Sequence, residues 1–170
     1  MRKTGRILAA ATALAFAFAA QAAPEKTVSF DVDMDIGQKL PPYEEMLKKY
    51  VDEVTEGMNT GCFSYIAHPD VFLCLSDADW YYTENERLCE AAKALGIPLE
   101  INMLGLMGRR HYPSERFFKI AAKVGNDVII GCDAHSPDML LNTEMQKNAY
   151  DFAASLGLKP LEELNLKQIK

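Results

Sequence analysis

The chain has 170 residues, 24 acidic against 18 basic side chains, and a formal charge of −6. That balance, with no basic cluster, excludes nucleic acid as a general partner, although a local arginine loop can still hold a phosphate. An apolar content of 49% fits an ordinary soluble domain in one piece after its leader, and no low-complexity linker interrupts it.

Arg2, Lys3 and Arg6 precede an apolar run from Ile7 to Ala20, and Ala20, Gln21 and Ala22 make a small-residue cleavage pattern. This predicts a signal peptide over residues 1–22 and export to the periplasm or the extracellular space. A transmembrane anchor or a buried helix is the alternative, but the run is shorter than the ~20 residues a span needs. No stable membrane span is expected once the head is cleaved. Residues 23–40 read as a weakly anchored, flexible leader, and residues 41–170 as the domain. Pro41 and Pro42 mark the entry to an amphipathic helix through Met46, Leu47, Tyr50, Val51 and Val54.

Phe63 to Ala67 read as a short buried strand that delivers His68; Pro69 stops it, and Asp70 begins a turn or supports His68. Trp80, Tyr81 and Tyr82 serve as packing or line a substrate mouth. Thr83 with Glu86 is a capping box for a helix through Leu88, Ala91, Ala92 and Leu95 that stops at Gly96. Leu99 to Asn102 form the next strand, with Glu100 and Asn102 on one face and Leu99 and Ile101 on the other. The Arg109, Arg110 and His111 triplet is either a solvated loop or a phosphate contact, since arginine suits bidentate phosphate binding. Ser114 can cap a helix bearing Phe117, Phe118, Ile120, Ala121 and Val124 before Gly125. A third apolar strand runs through Ile129 and Ile130 into Gly131, Cys132, Asp133, Ala134, His135, Ser136 and Pro137. In extended chain Asp133 and His135 point to one side and can converge on one divalent ion; the alternative is an aspartate that caps the following helix. Thr143 with Gln146 opens the last helix, which ends at Gly157.

This alternation predicts an α/β fold with parallel strands, helical crossovers and the polar strand ends on one rim. His68, Glu100 with Asn102, and Asp133 with His135 are expected to meet there.

The "aHPD" stretch within Tyr65 to Asp70, "LEIN" at Leu99 to Asn102, Tyr112 with Pro113, and "G-x-DAHSP" at Gly131 to Pro137 resemble the polymerase and histidinol phosphatase (PHP) family, most closely its histidinol-phosphatase branch. The resemblance covers roughly Tyr43 to Leu158. It implies a distorted, seven-stranded β/α barrel holding clustered divalent metals, Mn, Fe or Zn, that hydrolyses phosphate monoesters. Histidinol phosphate, converted with water to histidinol and phosphate in histidine biosynthesis, is the branch's substrate; another small phosphate ester is the alternative. By motif, His68, Asp133 and His135 resemble the metal ligands and catalytic residues, and Arg109, Arg110 and His111 the contacts to the substrate phosphate; Glu100, with Asn102 on the same face, is read from its strand-end place as a support for a ligand histidine or as a structural hydrogen-bond partner.

The family's opening His-x-His segment has no counterpart among His68, His111 and His135, the chain's three histidines. A complete β/α barrel takes about 250 residues. The resemblance therefore implies the carboxyl-terminal half of the enzyme, a partial barrel with an incomplete metal cluster and impaired activity. Two other readings follow: a non-catalytic remnant, or an assembly module that pairs half barrels into a homo-oligomer through exposed strand edges. The family's biosynthetic role belongs in the cytoplasm, which stands as the alternative to export. Cys62, Cys74, Cys89 and Cys132 lack metal-type spacing and read as scattered buried thiols.

Overall fold

The structure, a computed structural model, describes residues 42–167. The expected signal peptide, the whole expected leader and the first residue of the expected domain, Pro41, lie outside the described residues. Helix α1 spans Tyr43–Asn59, with Pro42 in front of its first turn and Glu44 and Glu45 favourably placed at its positive end. It buries Leu47, Val51 and Met58 against α2, Asp79–Ala94, whose inner face carries Leu88, Cys89 and Ala92.

Helix α2 begins five residues earlier than the Thr83 and Glu86 pattern predicts, with Ala78 rather than Thr83 at its N-cap. Thr83 lies inside it, its hydroxyl donating to the Asp79 carbonyl, so no capping box forms there. Gly96, at φ 62°, ends this helical stretch as expected. Strand β1, Leu99–Asn102, leads directly into a short helix α3, Met103–Met107. Helix α4, Glu115–Val124, is capped by the Ser114 hydroxyl accepting from the Phe117 N–H and is closed by Gly125 in the left-handed region. Phe117, Phe118, Ile120 and Ala121 form its buried stripe, and α4 packs on α2. Strand β2, Val128–Gly131, precedes a 3₁₀ turn at Pro137–Leu141 and helix α5, Thr143–Ser155. Asn142, not Thr143, caps α5, accepting from the Met145 N–H; Thr143 is the first helical residue.

β1 and β2 pair in parallel with Leu99 opposite Val128 and Asn102 opposite Gly131. Single parallel bridges extend the sheet on either side, Ile66 to Leu99 and Val128 to Pro160. The expected strand Phe63 to Ala67 is thus reduced to one bridged residue. Its pairing is real but short: Ile66 N–H donates to the Pro98 carbonyl, and Glu100 N–H donates to the Ile66 carbonyl. Four parallel segments therefore lie side by side in chain order, and among the described residues the sheet does not close. Leu99, Ile101, Val128, Leu88, Phe117 and Phe118 occupy the core between sheet and helices. No helix among the described residues is long and apolar enough to cross a membrane.

Candidate functional site

All four residues of β1 are buried, including Glu100 at 2% and Asn102 at 0% exposure. Two polar side chains in such a strand must find partners, because an unpaired buried polar group costs about 1–3 kcal/mol. The Asn102 amide finds three. Its Nδ2 donates to Glu100 Oε2 at 3.2 Å and to Asp133 Oδ2 at 3.3 Å, while its Oδ1 accepts from the Gly105 N–H at 2.7 Å and caps α3. The amide's orientation follows, since carboxylates need donors and a helix start needs an acceptor.

Glu100 Oε2 also accepts from the His68 N–H at 2.8 Å. A single network therefore runs from the segment after Ile66, through the end of β1, to the turn after β2. Gly131 makes room for it: a Cβ there would sit 1.7 Å from Glu100 Oε1. Burial raises the Glu100 carboxyl above its ordinary range, opposed by the His68 N–H and the Asn102 amide.

His68 and Asp133 both leave the sheet at positive φ, 31° and 50°. Such backbone in non-glycine residues clusters at functional sites. Asp133 is therefore not in extended chain, and strand alternation does not bring it together with His135. The chain turns instead, and His135 Nδ1 reaches back to the Asp133 carbonyl at 2.8 Å, with the Asp133 carboxylate at 3.9 Å. Met139 pins this turn: its Sδ accepts from the His135 N–H and its carbonyl accepts from the Cys132 thiol. Burial, then Asp133 and Glu100, push the Cys132 thiol up.

The structure links His68, Glu100, Asn102 and Asp133, and sets His135 beside Asp133 with its side chain 70% exposed. His68 Nδ1 is buried without a hydrogen-bond partner. Yet among the described residues no three His, Cys, Asp or Glu side chains stand close enough to hold one metal ion. The expected phosphate contacts are divided. Arg109, also at positive φ, is exposed. Arg110 donates to the Tyr112 hydroxyl at 2.6 Å, and its guanidinium lies 5.8 Å from that ring's centre. His111 is held by Nε2 on the Val71 carbonyl at 2.7 Å.

Tyr112 is the residue the motifs undervalued. Only 7% exposed, it has its ring centre 5.6 Å from that of His68 and 5.1 Å from that of His111, and its hydroxyl accepts from Arg110. Asp70 is the other: its Oδ2 accepts from the Ser114 N–H at 2.6 Å, tying the loop after His68 to the start of α4. Burial pushes its carboxyl up to about 6 despite that bond. All four cysteines are free thiols, Cys74 and Cys89 buried, Cys132 half-buried and Cys62 exposed, so the expectation of buried thiols fails at Cys62. A cleft of about 540 Å³ between α2 and α4 shares no residue with the rim. No family model matches the chain, and no curated protein matches it.

Proposed function

We propose that the chain is a metal-dependent phosphoesterase of the PHP kind, resembling histidinol-phosphatase, with the rim His68, Asp133 and His135 as its share of a divalent metal site. One observation carries the reading: a buried imidazole nitrogen with no partner, His68 Nδ1, stands at the end of a network that already satisfies Glu100 and Asn102 and holds Asp133. Imidazole and carboxylate donors suit Mn, Fe or Zn in kind. In number they fall short of a cluster, because no three of them converge among the described residues.

A bound divalent ion would neutralise phosphate charge and lower the pKa of a water. The chain's own residues do the rest. Asn102 fixes the Asp133 carboxylate by one oxygen and leaves the other to a ligand. Glu100 holds the backbone at His68 and so aims the imidazole. Arg109 offers a guanidinium to a phosphate oxygen, and Arg110 can do so after leaving Tyr112.

The lack of a converged three-donor set favours a second reading, a half site that needs further chain or a second copy, or a non-catalytic remnant. The test is phosphate release from histidinol phosphate by the purified chain with Mn, beside Asp133→Asn, with the mass in solution measured on the same samples. Release that vanishes in the variant supports the enzyme. No release from a monomer supplied with Mn removes it and leaves the remnant. Release only in a dimer supports assembly.

A further inference from the structure

Beside the rim, between the loop after His68 and the start of α4, lies a cleft of about 310 Å³. Its size is at the lower end for small-molecule sites, roughly 300–1,000 Å³. Phe72, Leu73, Leu75 and Tyr81 give it apolar walls, and Leu75 is 89% exposed at its edge.

The charges lining it do not cancel. The Arg116 guanidinium lies 3.5 Å over the Tyr81 ring and donates to Asp77 at 2.9 Å and to the carbonyls of Ser76 and Cys74, so its charge is matched and its donors build the wall. His111 is engaged with the Val71 carbonyl. Asp70 remains. It is 7% exposed and lines the cleft; one oxygen takes the Ser114 N–H, and the other, Oδ1, is buried with no hydrogen-bond partner. A buried carboxylate oxygen lacking a donor is a costly arrangement that a charged N–H group relieves well.

We infer that this cleft binds a small primary amine as its ammonium ion, the N–H groups directed to Asp70 and an apolar or aromatic body held by Phe72, Leu73, Leu75 and Tyr81. The site uses no metal ligand and no phosphate contact except the His111 ring at its edge, so it stands apart from the phosphoesterase reading.

The experiment is titration calorimetry of the full chain at pH 8 and low salt, with 2-phenylethylamine as the probe and 2-phenylethanol as its neutral counterpart. The amine should bind at least about tenfold tighter than the alcohol, the scale of one charge-assisted hydrogen bond. Asp70→Asn should bring the two to parity. Leu75→Lys, a change at an exposed edge position, should weaken both probes by removing part of the apolar wall, and the amine several-fold more than the alcohol because the added charge repels its ammonium. Equal affinities in the parent chain, no binding of either probe, or a preference for the amine that survives Asp70→Asn would overturn the assignment. Should Asp70→Asn fail to fold, Leu75→Lys decides alone: an unchanged ratio of affinities overturns it.

Discussion

The end of β1 and the turn after β2 carry the two halves of the rim, and they are built on opposite principles. Glu100 and Asn102 are buried, and Asn102 uses both donor and acceptor ends of its amide within the protein. His135 is exposed, and its ring touches only the carbonyl and carboxylate of a residue two positions away. Buried polar groups must find partners within the fold, whereas an exposed group is hydrated without one. The supporting layer is therefore complete before any ligand arrives. His68 joins the two: its backbone belongs to the network, and its Nδ1 is left over.

Breaking the supporting half should have the largest effect. Gly131→Ala drives a Cβ into the Glu100 carboxylate and forces it off Asn102 and the His68 N–H, combining overpacking with unpaired buried charge. A loss of about 3 kcal/mol or more is expected in urea unfolding. A loss below 1 kcal/mol would mean that Glu100 has somewhere else to go. Asn102→Ala comes next. It strips Glu100 and Asp133 of their common donor and α3 of its cap, and should cost about 2–3 kcal/mol. Pairing it with Glu100→Gln in a double-mutant cycle checks that the two act as one unit: additive losses would argue against a shared network.

How much of this was legible in the sequence follows the same division. Period-two alternation in Leu99 to Asn102 put Glu100 and Asn102 on one face, and the apolar spacing of Phe117 to Ala121 marked the buried stripe of α4. These are local rules acting on regular backbone. They failed where backbone leaves the regular regions. Asp133 and His135 were expected to share a side as strand neighbours, but β2 ends at Gly131 and Asp133 turns at φ 50°. The strand before His68 shrank to Ile66, because a segment bridged at a single residue need not stay extended along its length. The Thr83 and Glu86 pair imitated a cap inside a helix that had already begun at Asp79. Gly131 as the space for Glu100, and Asp70 as the anchor of α4, depend on contacts between segments 31 and 44 residues apart, which no local pattern encodes.

Asp70 sharpens the comparison through pH. Its folded carboxyl titrates at about 6, burial outweighing the Ser114 N–H, against about 3.9 in an unfolded chain. The folded state thus holds the proton more tightly, so the stabilisation is complete below about 4 and is lost as pH rises through about 6. Relative to the parent, Asp70→Asn should gain on the order of 1–2 kcal/mol between pH 4.5 and 7.5, read from urea midpoints at each pH. A flat difference curve would place the Asp70 carboxylate in contact with water, with the buried character confined to Glu100 and Asn102.

The smallest effect on stability is expected at the open half. His135→Ala removes an exposed ring whose only contacts are within its own turn, and should shift unfolding by no more than about 0.5 kcal/mol. The same change should weaken Mn binding by about tenfold or more, measured by calorimetry, if the imidazole is a ligand. The two readouts separate the possibilities because they depend on different states. Stability compares folded with unfolded chain, where an exposed ring is nearly as well hydrated on both sides. Metal affinity compares free with bound rim, where the lost nitrogen is missed directly, the neighbouring Cys132 thiol being tied to the Met139 carbonyl. A stability loss above 1 kcal/mol would move His135 into the supporting half. Unchanged Mn affinity with unchanged stability would strike it from the proposed metal site.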